Sequence, residues 1–298
     1  MFEITVLGTT STMPTKKRNH PAIHVKFRGS NLLFECGEGT QRQLTIAGLS
    51  AQKIDAVFVS HMHGDHSFGL GGLLHSMDFR GRKEKIFVYG PKGIKKVIKF
   101  FCEWPGIQML FPIVTKEIKP GKIYSDADVT VSAFPLEHGI ECYGFVVEEN
   151  VETNLDKNKL KKAGLLNSPL CKELKKKGEI MYKGRKILLS EVSKPMKRPA
   201  KVVIALDTQP CKELEENAKG ADVLLCEATF SEELKEKAHE YGHMTAKDAA
   251  RIAKKAGVKH LLLMHYSARY EDEKVLEKEA REVFRNTTAT YDFYRLSI

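Results

Sequence analysis

The chain has 298 residues, of which 42% are hydrophobic and 29% charged. That balance excludes a disordered or fibrous chain, and the length is ample for a buried core. No run of about 18 apolar residues occurs, so no transmembrane helix is expected. The start, Met1-Phe2-Glu3-Ile4-Thr5-Val6-Leu7-Gly8, reads as a strand and lacks the basic and long apolar regions of a signal peptide. The net charge is +10, and positions 155–201 hold 15 Lys or Arg against 4 Asp or Glu, so the remainder is close to neutral. A local basic segment on a neutral body suits docking to a polyanion, the plainer alternative being a solvated surface excursion. The six cysteines include no CxxC pair, and a chain of this length needs no disulfide staple, so a cytoplasmic, reducing location is expected.

In chain order, apolar runs predict strands over 2–8, 22–27, 31–35, 54–60, 85–89, 129–135, 143–148, 201–206, 222–226 and 259–264. Helical patterns lie over 39–47, 68–79, 93–102, 211–218, 245–256 and 271–284. Thr245-Ala246-Lys247-Asp248 fits a capping box, and Gly257 suits the stop of the same helix. Early hairpins followed by strand–helix units predict an α/β sandwich with mixed sheets. Positions 155–178 break the pattern: Lys-rich, punctuated by Gly164, Pro169 and Gly178, and long for a connection. They read as a flexible arm inserted into a single domain of 1–298.

The strongest chemical signal is His61-Met62-His63-Gly64-Asp65-His66, directly after the apolar run 54–60. Three imidazoles and a carboxylate on a Gly-containing turn suit zinc, and one short loop can serve two neighbouring ions. Further donors follow other apolar runs: His138 after 129–135, Asp207 after 202–206, and His265 after 261–264. Strand ends are where ligand sites gather in open α/β sheets. A lone His at any of these places reads as structural; four strand ends offering donors together read as a metal site. A competing pattern, His239-Glu240-Tyr241-Gly242-His243, matches HExxH. The zinc-protease reading needs one continuous helix, whereas Gly242 and the cap at Thr245 imply a break.

The HxHxDH loop with later His, Asp and His resembles the metallo-β-lactamase fold superfamily. Two further motifs narrow the resemblance. Pro14-Thr15-Lys16-Lys17-Arg18-Asn19 and Phe34-Glu35-Cys36-Gly37-Glu38-Gly39-Thr40-Gln41-Arg42-Gln43 resemble the PTKxRN loop and the F-x-CGEGTQRQ run of tRNase Z. This family trims the 3′ end of precursor tRNA. The resemblance runs from Gly8 to Tyr270.

The resemblance implies an αββα four-layer sandwich, a homodimer, and two zinc ions per subunit. It assigns His61, His63 and His138 to one ion, Asp65, His66 and His265 to the other, and Asp207 as the bridge. Such a pair polarises a phosphate and activates water. Asp65 is placed to orient that water. The family's proton donor and its supporting carboxylate carry over to His243, in Gly242-His243-Met244-Thr245, and Glu227, in Cys226-Glu227-Ala228-Thr229. Lys16, Arg18 and Asn19 contact RNA or shape the rim, and Arg269 suits a phosphate. Lys175, Lys176 and Lys177 close the frame of the family's tRNA-gripping arm. Precursor tRNA is the expected partner, cut to a tRNA 3′-hydroxyl and a trailer 5′-phosphate. Another hydrolase of the same fold, acting on small phosphodiesters, is the rival that the ligand set alone leaves open.

Overall fold

The computed structural model describes residues 1–151, 154–194 and 198–298. Its strands are β1 (Phe2–Gly8), β2 (Ala22–Phe27), β3 (Ser30–Phe34), β4 (Ala56–Phe58), β5 (Ile86–Gly90), β6 (Ile113–Glu117), β7 (Gly121–Ser125), β8 (Val129–Leu136), β9 (Cys142–Glu149), β10 (Glu179–Tyr182), β11 (Arg185–Leu188), β12 (Lys201–Ala205), β13 (Val223–Glu227), β14 (His260–Met264), β15 (Thr287–Ala289) and β16 (Arg295–Ser297). Its helices are α1 (Thr40–Ile46), α2 (Gly64–Ser67), α3 (Gly69–Phe79), α4 (Ile94–Cys102), α5 (Lys157–Lys162), α6 (Leu170–Lys177), α7 (Leu189–Val192), α8 (Lys212–Ala218), α9 (Lys235–Glu240), α10 (Ala246–Ala256) and α11 (Lys274–Val283).

Two compact units result: Met1–Glu148 with Ala200–Ile298, the body, and Glu149–Pro199. The body holds two seven-stranded sheets, ordered β16-β1-β2-β3-β4-β5-β6 and β15-β14-β13-β12-β9-β8-β7. Side chains alternate across each strand, so one strand feeds two layers. In β13, Val223 and Leu225 pack between the sheets while Leu224 and Cys226 face the helices. The inter-sheet layer includes Phe2, Ile4, Phe34, Phe58, Phe145, Ile204 and Leu262. Leu214 of α8, Ile252 of α10 and Leu276 of α11 cover the outer face of the second sheet. Leu44 of α1, Leu73 of α3 and Ile98 of α4 cover that of the first. This is the expected αββα sandwich.

Local chemistry fixes the helix ends. Thr245 caps α10 by accepting from Asp248 N at 3.1 Å, and Gly257 closes it with φ 64°. The strands missing from the sequence reading are β6, β7, β15, β16 and the pair β10–β11. Four of these are sheet edges or near-edges with little alternation.

The unit Glu149–Pro199 has its own small core of Leu160, Leu165, Leu174, Ile180, Ile187 and Val192. Asp156 caps α5 by accepting from Asn158 N and Lys159 N at 2.8 and 3.1 Å. The hairpin β10–β11 turns through Lys183 and Gly184, whose φ values of 50° and 76° suit a tight two-residue turn. The expected arm of 155–178 therefore covers only part of the unit, because α5 and α6 bury their apolar faces against the hairpin that follows. Among the described residues, no helix is long and apolar enough to cross a membrane.

Candidate metal centre

Strand β4 delivers the chain to Ser60 and His61, and a single turn, α2, carries Asp65 and His66. This turn is seated by close backbone approach. Gly37 leaves no room for a side chain, since a Cβ there would stand 2.2 Å from Asp65 O, and one at Gly69 would stand 2.0 Å from Gly37 O. Cys36 N donates to His66 O and Gly69 N to Cys36 O, both at 2.9 Å. The CGEG run thus packs against the metal loop from behind.

The remaining donors stand just past strand ends: His138 after β8, Asp207 after β12 and His265 after β14. Asp207 and His265 have φ of 45° and 62°, and Glu35, after β3, has 60°. Non-glycine residues rarely adopt this left-handed backbone, and such strain concentrates at functional sites.

Two clusters form. His61 Nε2 lies 2.9 Å from His63 Nδ1, which lies 3.4 Å from His138 Nε2. His66 Nε2 lies 3.3 Å from His265 Nε2, and Asp65 Oδ2 is 3.5 and 3.6 Å from these two nitrogens. Asp207 stands between them. Its Oδ1 is 3.3 Å from His66 Nε2 and 3.1 Å from His265 Nε2, and its Oδ2 is 3.7 Å from His61 Nε2 and 3.9 Å from His138 Nε2. All seven donors therefore lie together, in two groups with Asp207 between them.

Each cluster fits a cation. Ring nitrogens facing each other cannot all carry protons, but each can offer a lone pair to an ion between them. Ligands at the ~2.0–2.1 Å Zn–N distance of a tetrahedral site stand roughly 3.3 Å apart, close to the spacings here. Asp207 Oδ1 is buried without a well-formed hydrogen bond among the described residues.

Outer partners orient the rings. His61 Nδ1 meets Ser60 Oγ at 2.9 Å, His138 Nδ1 meets Gly242 O at 2.9 Å, and His265 Nδ1 meets Thr229 Oγ1 at 3.0 Å. His66 Nδ1 contacts Glu35 Oε2 at 3.2 Å, and Glu35 is fully buried. Glu35, Ser60 and Thr229 are site residues that the sequence reading missed. Glu35 lies in the Phe34–Gln43 run and Thr229 follows Glu227, but only three dimensions reveal the imidazole that each meets.

Burial, then neighbouring imidazoles, push His61 down to about 2, and His63 is lowered for the same reasons. Both are neutral donors. Burial would raise Asp65, but the hydrogen bond from His265 and the His66 charge hold it below the usual carboxylate range. Burial would lower His66, yet Asp207 and Glu35 lift it well above an ordinary imidazole. A cation bound at its Nε2 would displace a proton.

Glu227, at the end of β13, is fully buried and caged by donors. It accepts from Thr208 N at 2.6 Å, Thr229 Oγ1 at 2.6 Å and Met244 N at 3.2 Å, and its Oε1 meets His243 Nδ1 at 3.0 Å. Burial favours neutral His243, but the Glu227 charge and hydrogen bond overcome it and raise the imidazole to about 9. The His243 ring lies 5.2 Å from that of His138 and 5.5 Å from that of His265. The HExxH helix is not formed: α9 ends at Glu240, Gly242 has φ 74°, and His239 turns to Asp248.

The expected RNA contacts divide. Lys16 and Arg269 are exposed. Arg269 lies 4.9 Å over the Phe230 ring, which stands 6.2 Å from the ring of His243. Lys175, Lys176 and Lys177 form the last turn of α6, with Lys177 paired to Glu173 at 2.7 Å. Arg18 is only 5% exposed, and its guanidinium is engaged by Tyr270 O, Glu271 O and Glu273. Asn19 likewise turns inward, donating to Glu38 O at 2.7 Å.

Comparison with known proteins agrees with this geometry. The family model for the beta-lactamase superfamily domain matches residues 198–266, and that for the anti-Pycsar protein Apyc1 matches residues 2–101. The chain is 40% identical to ribonuclease Z of Archaeoglobus fulgidus, over 100% of this chain and 98% of that protein. It is 38% identical to ribonuclease Z of Bacillus subtilis, over 100% and 99%. The crystal structure of human tRNase Z, short form, superimposes with a TM-score of 0.71 at 27% identity, covering 99% of each chain.

Proposed function

The chain belongs to the ribonuclease Z family and is a tRNase Z-type endoribonuclease of tRNA 3′ processing, and we propose that it works with two zinc ions. We further propose that it leaves a tRNA 3′-hydroxyl and a trailer 5′-phosphate. The observation that carries the two-ion reading is Asp207, whose two oxygens address the two donor clusters separately. His61, His63 and His138 would hold one ion and Asp65, His66 and His265 the other, with Asp207 shared. When bound, the ions supply Lewis-acid polarisation of the scissile phosphate and activate water at neutral pH.

The protein's own groups complete the reaction. Asp65, held ionised, orients the attacking water. His243 keeps its proton at neutral pH because Glu227 stabilises the imidazolium, and it delivers that proton from Nε2 to the departing 3′ oxygen. Arg269, held at Nε by Ser267 Oγ at 3.0 Å and stacked on Phe230, binds a phosphate of the chain. The exposed lysines of Glu149–Pro199 grip the tRNA body through its backbone.

We assign the enzyme to the cytoplasm, supported by the absence of disulfides among its six cysteines. We assign it a homodimeric state, in which the basic unit of one subunit serves the site of the other. The exposed side chains Phe79, Phe100, Trp104 and Leu110 offer apolar surface for such an association.

The test is incubation of metal-free and zinc-loaded protein with a tRNA precursor carrying a 3′ trailer, followed by sequencing of the new ends and metal analysis. A zinc-dependent single cut with two ions per chain is the expected result. Hydrolysis of a small phosphodiester without any cut in the precursor would defeat the reading. Sedimentation equilibrium checks the dimer.

A further inference from the structure

Residues 9–20 run beside the metal centre as a loop tied at both ends. Tyr266 N donates to Thr9 O and Ser11 N to Tyr266 O, both at 2.9 Å, beside the donor His265. At the other side, Asp292 accepts from Thr9 Oγ1 at 2.8 Å, Asn19 N at 2.8 Å and Gln43 Nε2 at 3.0 Å. Between these ties, Thr15 closes a turn on Arg18, with Thr15 N donating to Arg18 O and Arg18 N donating to Thr15 Oγ1, both at 2.9 Å.

Arg18 carries the feature that the reaction scheme leaves unused. Its Nη1 donates to Tyr270 O at 2.5 Å, its Nη2 to Glu271 O at 3.2 Å and to Glu273 Oε2 at 2.6 Å, and its Cζ lies 5.4 Å from the Tyr266 ring centroid. A guanidinium is the one side chain whose planar fork can take two backbone carbonyls and a carboxylate at once. Burying it costs heavily unless every partner is present. Lys16 and Lys17 stay exposed at the turn's tip, while Ala268, Tyr270 and Glu271 form the opposite wall of a cleft of about 380 Å³.

We propose that Arg18 is a positioning residue: by clasping the 270–273 turn it fixes Lys16 and Lys17 at the cleft between the two segments, so that these lysines seat the phosphodiester backbone of the RNA. This rests on the tRNA-processing reading. Glu273 is the lever, since it closes the clasp.

Charge alone and the clasp predict opposite signs for Glu273→Gln. Removing a negative charge near a polyanion site should tighten RNA binding. Loosening the clasp should raise KM for precursor tRNA by about tenfold, the size expected for residues coupled in one network. Hydrolysis of bis(p-nitrophenyl) phosphate, which needs only the metal centre, should be unchanged. Lys16→Ala should raise KM in the wild-type background and add little in the Glu273→Gln background. Arg18→Lys, which keeps the charge but loses the fork, should raise KM in the same direction. An unchanged or lowered KM in Glu273→Gln would overturn the proposal, as would equal losses on both substrates, which mark a merely structural role. If the unaltered protein failed to cut precursor tRNA, the underlying reading would fall first, and that outcome is distinct from any of these.

Discussion

In the body, ionisable groups are buried and aimed: Glu35, His61, His66 and Glu227 are fully buried, and each meets a named partner. In Glu149–Pro199 they are exposed on a thin core, with Lys175, Lys176 and Lys177 open to solvent and ion pairs such as Lys186–Glu179 half-exposed. The contrast suits the two tasks proposed for these regions. Bond cleavage needs charges held where charge develops, in a site from which water is partly excluded. Gripping a folded polyanion needs many exposed cations, because affinity comes from displacing counterions and tolerates imprecise placement.

The largest effect is expected in the body. Asp207→Ala removes the oxygen pair shared by both clusters, so it should lower the rate on precursor tRNA and on a small phosphodiester alike. A loss of roughly a thousandfold or more is expected, since metal ions contribute several kcal/mol to the transition state. Parallel metal analysis should show depleted ions; a fully active, metal-replete variant would remove Asp207 from the centre.

Next in size is the proton donor. His243→Ala should cost roughly 10²–10⁴-fold in kcat. Its proton is needed on the acid, so activity falls as pH rises through its pKa of about 9. Glu227→Gln removes the charge that raises the imidazole, so this basic limb should move down toward the ordinary 6.5. A pH–rate profile of the two proteins checks the direction.

The basic unit should behave differently. Replacing Glu149–Pro199 by a short Gly-Ser linker should raise KM for precursor tRNA by about a hundredfold and flatten its salt dependence. Small-phosphodiester hydrolysis should survive. Removing 155–178 alone would leave Ile180, Ile187 and Val192 without Leu160, Leu165 and Leu174, a less clean experiment.

The smallest effect tests an outer partner. Glu35→Gln should weaken metal affinity by roughly 10–100-fold while leaving the ions in place at saturating zinc. Titration with a competing chelator measures it.

The body's architecture was legible because its strands are long apolar runs with both faces buried, as in β13 and β14. The candidate donors stood out because they cluster in one loop and recur at strand ends. Edge strands such as β15, Thr287–Ala289, are too short to show a period. The hairpin β10–β11 had a Lys183-Gly184 turn but strands too polar to announce a core. Thr229 and Ser60 could not be assigned because hydroxyls touch whatever the fold brings to them. Arg18 stayed open between an RNA contact and a rim role for a related reason: only the folded chain brings the carbonyls of Tyr270 and Glu271 to its guanidinium.

Glu148 and Lys201 are direct antiparallel partners, so the chain leaves the body and returns to it at adjoining positions on β9 and β12. The sheet's register is set on both sides of the excursion by Phe145↔Ile204 and its neighbours, whatever state the excursion is in. A segment joined in this way can open and close as its own cooperative block. Amide protons of α5, α6 and the hairpin should therefore exchange with solvent well before those of β12 and β13, giving the molecule two clocks: a slow one in the sheet and a fast one in the excursion.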